Sequence, residues 1–288
     1  MWFSFLGVFR PHTALLVANF LFSCGQILSS LAFRSGASPV VVVTLRSAIM
    51  SCVVLSLCTA TRSFPKESLP WVQIARLTGM GLIQAFVVLT WFSGIAMTNI
   101  STAGMFSVTQ PIVTMLIALA VRVEVWAPYK GISSLLGIIG NSAMVAGHGG
   151  FDHSGTHYVI GCGMLLFSTV LFSFYLIIQM GMDRTFSSYF VQVCAISVGF
   201  VALAVVSAVE SPLYFALDHS PHIVWVAIIF TGTFSGPFAA VLTSYGVRNT
   251  TPLTASIATF SEAFFNLVGG SFLLGDVLTG YQWQGVGC

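Results

Sequence analysis

Long apolar runs separated by short polar breaks repeat along the whole chain. Runs near the roughly 20 residues that a membrane-spanning helix needs occupy 12–33, 40–61, 74–98, 101–121 and 130–147. A polar stretch from His148 to His157 follows, and then apolar runs at 158–182, 190–209, 223–247 and 252–274, which predicts nine spans. The runs are continuous rather than alternating at every second residue, so the predicted elements are helices and not barrel strands.

One polar position inside these runs stands apart. Glu262 lies ten residues past Pro252, near the midplane of a helix that rises about 1.5 Å per residue through a core about 30 Å thick. A carboxyl group at that depth marks a functional site by default. Thr259 and Asn266, three before and four after it, complete one polar stripe that must face protein or water. The stripe recurs 152 residues earlier as Ser107, Gln110 and Thr114. Under the same offset identities fall at Phe86/Phe238, Gly94/Gly246, Thr98/Thr250, Thr102/Thr254, Ala103/Ala255, Val125/Val277 and Tyr129/Tyr281, with Glu124 opposite Asp276. The chain therefore reads as an internal duplication.

Composition narrows the class. Of 288 residues, 56% are hydrophobic and 6% charged, and the mean hydropathy is +0.94. Too few polar residues remain to cover a soluble globule, so the chain reads as a polytopic membrane protein. The net charge of +2 comes from dispersed Lys and Arg with no aromatic-interleaved basic run, which excludes a nucleic-acid partner. Cys24, Cys52, Cys58, Cys162 and Cys194 lie inside apolar runs and read as small buried hydrophobes rather than a disulfide framework. The segment Met1 to Arg10 has no cleavage site, so the first run is expected to be retained.

Charge also sets an expected orientation. With a cytoplasmic N-terminus, Arg10, Arg62, Lys66, Arg76, Arg122, Lys130, Arg184 and Arg248 fall on the cytoplasmic side and Arg34 alone on the other. Five spans per unit is odd, so the second copy enters the membrane upside down. The expected fold is all-α integral membrane, with two inverted five-span helical repeats: residues 1–147, a polar connector at 148–157, and 158–288. Trp283-Gln284-Gly285 echoes Tyr129-Lys130-Gly131, which opens the fifth span, and the chain stops three residues later. The ten-span plan is thus expected to have nine spans present, with the last truncated.

Ser38-Pro39 followed by Leu45-Arg46, and Thr102-Ala103 running to Pro111 and Glu124, form one recognisable pattern. Ser261-Glu262-Ala263, Leu274-Gly275-Asp276 and Tyr281-Gln282-Trp283 form its second-repeat counterpart. The chain resembles the drug/metabolite transporter superfamily, specifically proteins built of two EamA-type domains. That resemblance implies a ten-span carrier or exporter of small organic solutes. An intramembrane enzyme would require clustered His, Asp, Ser or Cys at depth, which the spans do not show, so no enzyme is expected.

The expected function is movement of a small polar organic metabolite by alternating access between the repeats. The alternative is a non-transporting scaffold relative of the family. Substrate is expected to touch Glu262 and Gln110, with Ser107, Thr114, Thr259 and Asn266 supplying hydrogen bonds. Arg46 reads three ways: it binds an anionic group, pairs with Glu262, or snorkels to lipid phosphate. Gln84 and Gln179 read either as cavity-lining residues or as interhelical hydrogen-bonding residues. The His148–His157 loop reads as a solvated connector rather than a metal site. Pro237 predicts a kink in the eighth span. No catalytic residue, metal or cofactor is expected. The expected partners are a small-molecule solute and the lipid bilayer, with a homodimer left open.

Overall fold

The structure is a computed structural model that describes residues 10–66, 68–123, 132, 136, 139, 156–210 and 221–274. Eight helices in it are long and apolar enough to cross a membrane. They are α1 (Pro11–Arg34), α2 (Pro39–Ala60), α3 (Trp71–Met97), α4 (Ile100–Ala120), α5 (Thr156–Thr185), α6 (Ser188–Glu210), α7 (His222–Asn249) and α8 (Pro252–Leu274). There is no strand among the described residues. The expected nine spans therefore appear as eight, because 130–147 lies outside the described residues except for Ile132, Leu136 and Ile139, which are helical. Within the expected connector, 148–155 also lies outside them, and its last two residues, Thr156 and His157, begin α5. The pairs Val125/Val277 and Tyr129/Tyr281, the Glu124/Asp276 match and the start of a tenth span lie outside as well.

Local signals set the helix ends. Proline occupies the first turn of α1 and α2, where its missing N–H costs nothing. Asn99 caps α4 by accepting a 2.7 Å bond from the Thr102 amide. In α7 the α-helical segments His222–Phe230 and Gly236–Asn249 flank a π-helical turn, Thr231–Ser235. Pro237 cannot donate to the carbonyl one turn back and its ring crowds that turn, so the chain widens there; this is the expected kink, in the form of a π bulge.

The most extensive helix pairings run across the two halves. α1 packs on α7 and α8, while α5 packs on α3 and α4; α2 meets α6, and α4 meets α8. Exchanging α1–α4 for α5–α8 reproduces this pattern. The exchange holds at single residues. A Cβ on Gly94 would meet Leu165 Cγ at 2.7 Å, and one on Gly246 would meet Leu15 Cγ at 2.5 Å, so each glycine admits the leucine of the other repeat. Gly81 and Gly232 seat the helices α6 and α2 in the same reciprocal way. Those two are 151 residues apart while Gly94 and Gly246 are 152 apart, and the one added residue is what the π turn inserts.

The second half is inverted. Gly246 near the end of α7 abuts Leu15 near the start of α1, and Ser187 after α5 bonds to the Ser63 carbonyl after α2 at 3.1 Å. One end of the bundle therefore gathers Arg10, Arg62, Arg122, Arg184 and Arg248. Arg34 is at the opposite end, bonded to the Leu274 carbonyl. Apolar side chains such as Phe86, Val205 and Phe272 are exposed on the outside, while Gln179, Gln192, Asn266 and Asp183 are buried. That is the pattern of a protein whose solvent is lipid.

Candidate functional site

A polar stripe on α1 meets the one on α8. Asn19, Ser23 and Gln26 are spaced by four and three residues, so they share a helix face, and all are buried. Asn19 donates to the Ala258 carbonyl at 2.8 Å and Ser23 to the Glu262 carbonyl at 3.2 Å. Gln26 Nε2 donates to Glu262 Oε1 at 2.6 Å, while Gln26 Oε1 accepts from Asn266 Nδ2 at 2.8 Å. Both ends of one amide are used, so the carboxylate orients the glutamine and the asparagine holds it there.

Gln26 and Glu262 line a cavity of about 120 Å³ between the two halves, to which α1–α8 all contribute. Trp91, Phe92 and Phe172 give it aromatic walls, and Gln26, Arg46, Gln84, Ser107, Gln110 and Glu262 give it polar ones. Arg46 does not snorkel. It is only 7% exposed, and its guanidinium lies over the Phe92 ring, 4.5 Å from the centroid. Nor does it pair with Glu262, which bonds to Gln26 instead. Arg46 Nε, Gln84 Oε1, Trp91 Nε1 and Gln110 Nε2 are buried with no partner among the described residues. Unpartnered buried polar atoms are uncommon in a native fold, and these four belong to residues that line the cavity.

Five of the eight residues expected from sequence, Glu262, Gln110, Ser107, Arg46 and Gln84, line the cavity. The other three lie behind its wall. Thr259 donates to the Ser256 carbonyl at 2.5 Å and reaches the Ser107 carbonyl at 3.4 Å, which links the two residues equated by the 152-residue offset. Thr114 donates to Ser173 at 2.9 Å, and Asn266 acts through Gln26. Gln179, weighed on sequence only as a secondary candidate, also lines the cavity. Sequence reasoning missed Gln26, Trp91, Tyr175 and Gln192. The stripe in α1 was the available signal for Gln26; nothing in the local pattern singles out Trp91 from the other aromatics.

The EamA-like transporter family matches residues 10–145 and 159–288, two copies that together span nearly the whole chain. The chain belongs to the EamA-like transporter family. Its two repeats are the two matched EamA copies, and the cavity lies between them. Among solved structures, a crystal structure of a protein 17% identical in sequence superposes with a TM-score of 0.70, covering 93% of this chain and 94% of that one. At that identity the likeness concerns the fold alone. No curated protein matches this chain.

Proposed function

We propose that this EamA-family membrane protein is a carrier that moves a small polar organic solute by alternating access, with the solute held in the cavity between the inverted repeats. The observation that carries this reading is the set of unpartnered polar atoms on residues lining the cavity, with Glu262 in the same lining. A solute that accepts from Arg46, Trp91 and Gln110 and donates to Gln84 and Glu262 would complete hydrogen bonds that the fold leaves open. The volume is of the order that admits one small ring-sized molecule, by comparison with apolar cavities of about 150 Å³ that bind benzene. Amine- or hydroxyl-bearing metabolites fit this inventory.

The mechanism follows from the symmetry. Each half packs its α1-type helix against the α3- and α4-type helices of the other, so a rigid tilt of one repeat against the other closes one end while opening the equivalent contacts at the far end. The positive-inside rule supports a cytoplasmic N-terminus, which makes the Arg-rich end cytoplasmic. The ten-span plan of residues 1–147 and 158–288 belongs to this proposal as well.

A thermal-shift screen of the purified protein against a metabolite library tests the reading, because a ligand that binds only the folded state raises its stability by mass action. A hit whose shift disappears in Gln110→Ala, followed by flux of that solute into vesicles, supports the carrier. Hits that bind but never cross the vesicle membrane favour a non-transporting scaffold.

A further inference from the structure

Asp183 lies two residues before the end of α5, beneath the Arg-rich end of the cavity, and is wholly buried. Ser244 on α7 donates to its Oδ1 at 2.5 Å, while Oδ2 has no partner. Gln179, one helical turn earlier, has its side-chain amide turned to the Asp183 carboxyl. Gln179, Tyr175 and Gln192 line the cavity, and Gln192 Nε2 donates to the Tyr175 hydroxyl at 3.2 Å. Asp183 thus sits one layer below the cavity floor, between the solute space and the exposed Arg248.

The repeat symmetry shows what this contact is. Leu15 and Leu165 are equivalent by their reciprocal glycine contacts, which pairs Phe33 with Asp183; the 152-residue offset of α3 and α7 pairs Phe92 with Ser244. At the opposite end Phe33 and Phe92 pack edge to face, 6.1 Å apart. The same α1-type to α3-type junction is therefore aromatic at one end and a carboxyl–hydroxyl pair at the other. A buried carboxylate lacking a counter-ion is unfavourable and becomes acceptable when it takes up a proton or reaches water. No group of His, Cys, Asp or Glu that could hold a metal ion gathers around Asp183 among the described residues, whereas a proton needs no such set.

We propose that Asp183 is a proton-binding site that latches the Arg-rich end of the cavity. Protonated, it stays in contact with Ser244 and that end is closed; on losing its proton to water it pulls α5 from α7 and that end opens. The charged and titratable groups acting on it are Arg248 on α7 and Tyr175 on α5, and α3, α4, α6 and α8 bring none against it among the described residues. The proposal rests on the carrier reading for its purpose, but its test needs no solute.

Spin labels on cysteines placed at Thr185 and Asn249, exposed at the ends of α5 and α7, report the separation of the two helices in the full-length protein reconstituted in vesicles. The expected result is a longer-distance population that grows from acid to alkaline pH, and an Asp183→Asn variant held at the short distance throughout. A distance that ignores pH, or an unchanged pH response in Asp183→Asn, overturns the latch. Should Asp183→Asn not fold, Ser244→Ala serves: its longer-distance population should appear at lower pH than in the original protein, and an unshifted profile overturns the proposal. A null result here alongside intact solute flux removes the latch and leaves the carrier standing.

Discussion

Gln26 and Glu262, 236 residues apart, are joined by a 2.6 Å hydrogen bond that ties α1 of the first repeat to α8 of the second. The same glutamine receives Asn266, so one side chain from the first repeat satisfies two groups from the other. Removing it should cost more than a single bond. We expect Gln26→Leu to lower unfolding stability by about 1–3 kcal/mol, since a carboxyl oxygen and an amide are left buried without partners. Melting of the purified variant checks this, and a change within error would mean that water replaces the amide freely.

Arg46 should behave in the opposite way. Its guanidinium is desolvated and stacked but has no carboxylate partner, so it contributes little to stability and much to the character of the cavity. Arg46→Met is expected to melt at or above the temperature of the original protein while losing the solute-induced shift. Arg46→Lys keeps the charge but loses the planar stacking on Phe92 and should recover only part of that shift. A large drop in melting temperature for Arg46→Met would assign the residue to the fold instead.

The reciprocal glycine contacts make a symmetric prediction. Gly94→Ala and Gly246→Ala each press a methyl group onto a leucine of the other repeat, and each should destabilise by about 1–3 kcal/mol. Leu15→Ala should relieve the Gly246 variant but not the Gly94 variant, and Leu165→Ala the reverse. A double-mutant cycle measures this coupling directly.

Orientation is open to a labelling test. The grouping of Arg10, Arg62, Arg122, Arg184 and Arg248 at one end predicts that an impermeant thiol reagent added to intact cells reaches a cysteine placed at position 37 and not one placed at 66. The reverse pattern would place the Arg-rich end outside.

Much of this arrangement could be read from the residues. Continuous apolar runs gave the helices, and the matched stripes at Ser107/Thr259 and Gln110/Glu262 gave the repeat, because a helix that buries polar atoms in a membrane must line them up on one face. Depth along a helix could be read as well, which is why Glu262 stood out. What periodicity does not encode is which face meets which neighbour. Thr114, Thr259 and Asn266 share the stripe of the cavity residues, yet interhelical bonds turn them into its backing, and that depends on where α5, α4 and α1 dock. Asp183 was hidden for a related reason: near the end of a span a carboxylate ordinarily reaches water, and only the packing of α7 buries it.

Solute is proposed to cross at the cavity between the repeats, whose lining includes Glu262. Uptake of a solute identified by thermal shift into vesicles holding the purified protein, compared among the original chain, Glu262→Gln and Glu262→Ala across external pH, tests it most directly. Expected are pH-dependent transport in the original, transport about tenfold slower or worse in Glu262→Gln, which keeps the shape but cannot ionise, and none in Glu262→Ala. Undiminished uptake by Glu262→Ala would contradict it, because the solute would then be passing through this protein somewhere else.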